Sequence, residues 1–467
     1  MKMKRDKYGI RKPELLAPGG DLSKAITALE YGADAVYIGG EAYGLRAAAG
    51  NFTEKDIDEL VAYAHRNKKR VYVTMNILPR TRELEGMKDY AMKLRDQHVD
   101  GVILSDLGAY RTVSCHAPEL DRHISTQANN LNLETCRFWN YEGAHRINLA
   151  RELTLEEIAE IHEGLVKDAR EEDECEFLHM DSSVPVLEVF VHGAMCMAYS
   201  GRCMLSDYLA DRSSNRGQCA QPCRWQYYFT DGGSASGTYM ISAEIEEEKR
   251  RGQKITVEET ERGTFLFNSR DLCLIEYLPE LIRAGAGALK IEGRMKSEFY
   301  VALTVRAYRI AIDYAWKEME KGRSGKLPPE LLKELMDEVC SVSHRDYSTG
   351  FLLGERGQQI YGSSSYIRNS VFAGIVEGCE KCCQEGVDSG NGNDDYLITV
   401  SQRGNFGIGD DLEIVQPYGP VLRIEPASMT DSDGNEILRA PHPCMTVKFR
   451  LPFPVKPGSM LRSRKRE

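Results

Sequence analysis

The stretch ELLAPGGDLSKAITALEYGADAVYIGG, Glu14 to Gly40, decides the fold class. It reads as a strand at Leu15–Ala17, a Pro18-Gly19-Gly20 break, a helix at Leu22–Tyr31 and a second strand at Ala35–Ile38. Two short apolar runs joined by a helix-length segment imply parallel pairing. The same alternation continues outward. A helix at Glu54–Arg66 is followed by strands at Val71–Asn76, Gly101–Leu104, Ile124–Thr126, Ile147–Leu149, Val186–Val191 and Ala288–Ile291. Eight such strands favour a (β/α)8 barrel of the TIM type, an α/β fold, over an open doubly wound sheet.

The ends of these strands are polar or rich in glycine. They include Gly39-Gly40-Glu41, Asn76, Ser105-Asp106, Ser125-Thr126-Gln127, Asn148, His192 and Lys290-Ile291-Glu292-Gly293-Arg294. In a barrel such positions gather at one face, where active sites form. Two segments interrupt the pattern: acidic Asp168–Ser183, read as a surface loop, and Gly232–Gly263, read as an excursion of hairpin or small-helix type.

Past the helix at Glu298–Trp316 the composition changes. A polar hinge at Lys317–Pro329 and a helix at Glu330–Val339 lead into glycine- and serine-bearing sequence. Short β-like runs follow at Phe372–Val376, Tyr396–Val400, Asp411–Val415 and Met445–Phe449. The expected division is a barrel over residues 1–320, a helical linker over 321–365 and a small all-β domain over 366–467.

No run of about 18 apolar residues is present, so no membrane-spanning helix is expected. Met1–Lys12 is basic and polar and lacks the apolar core of a secretory signal, which points to the cytoplasm. Thirteen cysteines, an odd number without regular spacing, argue against a secreted disulfide scaffold and leave thiols available as ligands. Cys115, Cys136 and Cys340 sit in apolar or helical contexts and read as core. The net charge of −11 argues weakly against a nucleic-acid partner, because phosphate contacts dominate such affinity.

Residues 193–224 read GAMCMAYSGRCMLSDYLADRSSNRGQCAQPCR, directly after the seventh strand. Cys196, Cys203, Cys219 and Cys223 are spaced Cys-x6-Cys-x15-Cys-x3-Cys. Four soft thiolates suit zinc or an iron–sulfur cluster. Only Cys219 and Cys223 have the close spacing of a zinc knuckle, and neighbouring Gly193, Gly201 and Gly217 would let backbone N–H groups reach sulfide. Arg202, Arg212, Arg216 and Arg224 would offset a negatively charged tetrathiolate centre. A cluster is the favoured reading and zinc the alternative.

LEVFVHGAMCMAYSGRCMLS resembles the signature of the peptidase U32 family, carried here by Glu188, Phe190, Gly193, Cys196, Cys203 and Ser206. The Glu14–Gly40 stretch resembles the family's opening, NSRDLCLIEYLPELIRAGAGALKIEGRMKSEFYVALTVRAYR its closing part, and the last hundred residues the β domain of one branch. The resemblance implies a [4Fe-4S] cluster on the four cysteines, with downstream Cys273 a core residue. It further implies prephenate-dependent, O2-independent 5-hydroxylation of the wobble uridine of tRNA. Arg46, Arg151, Lys290 and Arg294 at the barrel mouth would then hold a dicarboxylate such as prephenate by charge-assisted hydrogen bonds. Asn76, Gln127, His192 and Glu292 complete the expected substrate site, and the basic tail Arg462–Arg466 reads either as a contact to tRNA phosphates or as a solubilising terminus. The family label offers a peptidase as the second reading, although neither His-Glu-x-x-His nor Gly-x-Ser-x-Gly occurs. A non-enzymatic protein with a structural metal is the third. Neither the catalytic acid or base nor the oligomeric state is legible.

Overall fold

The computed structural model describes residues 10–44, 51–172, 184–196, 269–354, 367–382 and 395–464, with residues 203, 205–210, 212, 219–220, 222, 242–246, 254–260 and 263–264 between them. Eight parallel strands close into a barrel: β1 (Glu14–Pro18), β2 (Ala35–Ile38), β3 (Arg70–Thr74), β4 (Gly101–Leu104), β5 (Asp121–Ile124), β6 (Arg146–Asn148), β7 (Val186–Ala194) and β8 (Ala286–Ile291). Closure is made by β8, which pairs with β1 through Leu15↔Leu289 and with β7 through Leu289↔Val189. Helices α1 (Leu22–Glu30), α2 (Glu54–Arg66), α3 (Leu84–Asp96), α4 (Leu107–His116), α5 (Leu133–Tyr141) and α6 (Leu155–Glu172) follow the first six strands. Short α7 (Leu205–Ala210) lies in the cysteine segment; α8 (Leu278–Arg283) precedes β8, and long α9 (Glu298–Glu320) follows it.

Local sequence starts the helices where the strands end. Asp21, Asp106 and Asn132 accept from the backbone N–H three residues on, and Thr53 with Asp56 forms a capping box. Leu15, Val36, Val73, Val102, Ile147 and Leu289 are fully enclosed, the double-sided burial expected of parallel strands.

Five strands begin earlier than their apolar runs suggest, β1 at Glu14 and β3 at Arg70 by a single residue. β5 starts at Asp121, β6 at Arg146 and β8 at Ala286. Charges at such positions read as loop in the sequence. In the barrel they pair: Arg146 donates to Glu14 at 2.8 Å and to Glu188 at 3.0 Å, with all three side chains buried. Tyr72 Oη donates to Glu14 at 3.2 Å, and His123 packs edge-on against the Tyr72 ring. Burial alone would raise the Glu14 carboxyl, but Arg146, Arg70 and the Tyr72 hydroxyl together hold it below the usual carboxylate range.

The excursion is a hairpin where described, with Ser242–Glu246 antiparallel to Lys254–Thr260. The chain returns through Asp271–Cys273, a short strand not foreseen in the sequence, which runs antiparallel to the end of β7. Asp168–Ser183 is not a loop throughout: α6 runs to Glu172, and residues 173–183 lie outside the described part.

Helix α10 (Pro329–Cys340) leads to the C-terminal domain, an eight-stranded antiparallel sheet with its own core around Val376, Val400, Ile414 and Phe449. Its central strands are Ser370–Lys381, Tyr396–Gln402 and Met460–Arg464. The last of these contains part of the basic tail. Arg462 is buried, paired with Glu413 and bonded to Ser341 Oγ of the α10 end at 2.9 Å, so it does not present its charge to solvent. Phe299 of α9 stacks on Phe372, centroids 4.9 Å apart, which joins the sheet to the barrel. Among the described residues no helix is long and apolar enough to cross a membrane.

Candidate active site at the barrel mouth

A cavity of about 170 Å³ opens at the C-terminal ends of the barrel strands. Asn76, Gln127, Arg151, Lys290, Glu292, Arg294 and Cys196 all line it. The structure thus brings together six of the eight expected substrate residues with Cys196, the first of the four candidate ligand cysteines. Arg46 lies outside the described residues, as does Cys223.

His192 is not in the cavity. Its ring is buried among Tyr300, Tyr308 and Tyr347, with Nδ1 3.3 Å from Tyr308 Oη and Nε2 3.5 Å from Tyr347 Oη. Strand alternation places it on the same face as Glu188 and Phe190. A register shift intervenes: Lys290 pairs with Phe190, but Ile291 pairs with His192, so β7 gains a residue at Val191. The bulge turns His192 outward. Burial then depresses its pKa to about 3, helped by Lys296 and His344.

Lys290 forms the floor. Its Nζ donates to Glu188 Oε1 at 2.9 Å and lies 4.6 Å from the Tyr37 ring centroid and 5.3 Å from that of Phe190. Asn148 Nδ2 donates to the same Glu188 oxygen at 2.8 Å. Arg151 forms a wall: it donates to the Ala194 carbonyl at 2.7 Å and to Glu292 at 3.2 Å, and stacks 3.8 Å above Phe190. Asn76 Nδ2 donates to Gln127 Oε1 at 2.8 Å on the opposite side. Arg294 is buried against two glycines. A Cβ at Gly39 would lie 1.9 Å from its Nη2, and one at Gly20 would lie 2.1 Å from its carbonyl oxygen. Gly39 is therefore the seat of this guanidinium, and Gly20 makes room for the Arg294 backbone. Glu188, Asn148, Tyr37 and Phe190 belong to the site but were not singled out as substrate residues. The available signal was a glutamate in the middle of an apolar strand, a placement that demands a partner.

Cys196 is exposed on the cavity wall, Cys203 is half-buried and Cys219 exposed. Gly193, at φ +108°, lets the end of β7 approach the Glu292 carbonyl, and the cysteine segment departs from there. The Ala220 N–H donates at 2.9 Å to the buried Ser206 Oγ, which ties the Cys219 segment back to α7, just after Cys203. Among the described residues no three His, Cys, Asp or Glu side chains converge on a metal-sized point, and Cys223 is not among them. The donor set itself, sulfur beside a cavity with cationic groups, fits a soft metal centre. Cys273 faces away, with Sγ 3.8 Å from Tyr308 Oη and burial raising its thiol to about 11.

The peptidase family U32 model matches residues 20–361, and the model of the peptidase family U32 C-terminal domain matches residues 368–462. The chain belongs to peptidase family U32. Similar proteins carry different names. "tRNA hydroxylation protein P1" of Bacillus subtilis is 37% identical, covering 97% of this chain and 96% of the relative. "tRNA hydroxylation protein P" of Escherichia coli is 34% identical, covering 94% of each. A "Collagenase" of Porphyromonas gingivalis is 29% identical, covering 88% of each. Within this U32 chain, the cavity and the cysteine segment meet at Cys196.

Proposed function

We propose that this protein hydroxylates a nucleobase of tRNA in the barrel-mouth cavity. One observation carries the reading. A chain similar from end to end to tRNA hydroxylation proteins sets a cluster-type cysteine, Cys196, in the same small cavity as Lys290. The cavity, about 170 Å³, is lined by the cationic and amide side chains Arg151, Lys290, Arg294, Asn76, Gln127 and Asn148, which can bond the polar edge of a base or a small acid.

The finer reading is 5-hydroxylation of the wobble uridine, independent of O2, with a prephenate-like dicarboxylate as oxygen source. Arg151 and Arg294 are the guanidinium groups at hand for its carboxylates. Arg151 is already oriented by Ala194 and Glu292, so little side-chain freedom is lost on binding. Lys290, pinned by Glu188 under two aromatic faces, holds a fixed positive charge at the floor, where it strengthens hydrogen bonds to a substrate oxygen. Cys196, Cys203, Cys219 and Cys223 would hold an iron–sulfur cluster, which supplies electron-transfer chemistry when bound. The cytoplasm is the compartment that suits both a tRNA substrate and such a cluster.

The peptidase reading rests on the family label and the collagenase relative. Cysteine proteolysis needs an imidazole beside the thiol. Among the described residues no histidine lines the cavity. Nucleoside mass spectrometry of tRNA from a deletion strain tests the proposal. Derivatives of 5-hydroxyuridine should disappear and return with the wild-type gene but not with Cys196→Ala. Unchanged modification would remove the RNA assignment, and casein or collagen cleavage lost in Cys196→Ala would put the peptidase in its place.

A further inference from the structure

A hydrogen-bond donor and a hydrogen-bond acceptor stand side by side on the cavity floor. Lys290 Nζ and Asn148 Nδ2 bond the same oxygen, Glu188 Oε1, at 2.9 and 2.8 Å. Glu188 is ion-paired with Lys290 and Arg146, and a carboxylate only accepts hydrogen bonds. The amide nitrogen of Asn148 must therefore face Glu188, which settles the amide orientation on chemical grounds. Its oxygen is left on the other side. Asn148 lines the cavity and is 2% exposed, and its buried Oδ1 meets no donor among the described residues. Buried polar atoms are almost always hydrogen-bonded, so an orphaned acceptor at a cavity points to a ligand that carries a donor. Lys290 points to the complementary need. An ammonium has three N–H donors, and a single one is engaged by Glu188.

We infer that Asn148 and Lys290 are a specificity-determining pair that reads the imide edge of a uracil base. Lys290 donates to the O4 carbonyl, and Asn148 Oδ1 accepts from N3–H. The assignment rests on the nucleobase reaction proposed above and names its base readers. Uracil presents a carbonyl next to an N–H, the mirror of this pair. In the same pose cytosine sets its amino group against the ammonium and its N3 lone pair against the amide oxygen. Both hydrogen bonds become like-against-like contacts, which is how a polar site rejects a near-isostere. Gripping O4 and N3 leaves the C5–C6 edge of the ring untouched by the pair, and that is the edge on which 5-hydroxylation acts.

The test alters the substrate first, so that protein folding is not in question. Wild-type holoprotein is given anticodon stem–loops carrying uridine, N3-methyluridine or cytidine at the target position, and products are read by mass spectrometry. N3-methylation should cut turnover by about 10–100-fold, the effect of leaving one buried acceptor without its donor. Cytidine should fare no better. The variant Asn148→Leu should lower kcat/KM for uridine by a similar factor and no longer distinguish N3-methyluridine. A second readout needs no turnover: uridine should raise the melting temperature of the wild-type protein, and N3-methyluridine should not. Equal handling of uridine and N3-methyluridine in turnover, or equal or absent shifts with the two nucleosides, overturns the pair assignment. A wild-type enzyme that binds uridine selectively yet hydroxylates no stem–loop leaves the pair standing and overturns the reaction.

Discussion

Lys290 Nζ donates to Glu188 Oε1 at 2.9 Å, and both side chains are sealed inside the barrel, 4% and 2% exposed. Glu188 also takes a bond from Arg146, which it shares with buried Glu14, so Glu188 is the carboxylate that balances Lys290. Glu188→Gln should destabilise the protein by about 3–5 kcal/mol, because it strands charge in a low-dielectric interior. Lys290→Met leaves the Glu188–Arg146 pair in place. It should cost less stability while abolishing tRNA hydroxylation. Urea midpoints of the two variants, measured beside activity, check the ordering; a glutamine variant as stable as wild type would contradict it.

The acid limb of stability should carry the signature of buried histidines. Burial lowers His192 from the ordinary 6.5 to about 3 and also lowers His123. Below pH 6.5 the unfolded chain takes up protons that the folded chain refuses. Stability therefore falls with decreasing pH, by at most about 1.4 kcal/mol per unit for each histidine, until the folded-state value is reached. Unfolding free energies at pH 7 and pH 5 should differ less in His192→Phe than in wild type. An unchanged pH difference would show that His192 is not the source.

Anaerobically purified protein should be brown and contain iron and sulfide. Replacing Cys196, Cys203, Cys219 or Cys223 by alanine should bleach it, with Cys273→Ala as the control that keeps its colour. A colourless preparation with one equivalent of zinc would replace the cluster by a structural metal site.

The seat of Arg294 is tested at Gly39, where a Cβ would overlap the guanidinium at 1.9 Å. Gly39→Ala should cost about 1–3 kcal/mol through overpacking. The displaced cation should also raise KM for the acidic cosubstrate more than it lowers kcat. Steady-state kinetics with KM unaltered would mean that Arg294 does not bind it.

Tyr31 fastens the two domains. Its hydroxyl donates to the Val415 carbonyl at 2.9 Å and accepts from the Met460 N–H at 3.1 Å. Tyr31→Phe should destabilise by about 1–3 kcal/mol, since the Met460 N–H is left buried and unpaired. Differential scanning calorimetry that shows the full wild-type melting temperature would assign the docking to other contacts, such as Phe299–Phe372, Arg462–Ser341 and Arg306 with the Gly419 carbonyl.

Local sequence carried the barrel a long way. Short apolar runs, helix-length spacers and polar strand ends are period and composition effects, and they act over a few residues. For that reason Ala35–Ile38 and Gly101–Leu104 appear where their hydrophobicity puts them. The start of the cysteine segment was placed on the same grounds, since Cys196 follows the end of β7 at the cavity. The net charge of −11 sums over the whole surface and carries no information about the cavity, where Arg151, Lys290 and Arg294 gather in one place.

What only the tertiary structure decided depends on partners far apart in the chain. Arg146 meets Glu14 across 132 residues and Lys290 meets Glu188 across 102, so charges that look like strand-breakers become the filling of the barrel. The bulge at Val191 is equally invisible to a period of two, yet it removes His192 from the cavity and leaves Phe190 in it. Strand positions follow from local hydrophobicity. Which side chain faces the substrate follows from register and closure, and these are fixed only when β8 pairs with both β1 and β7.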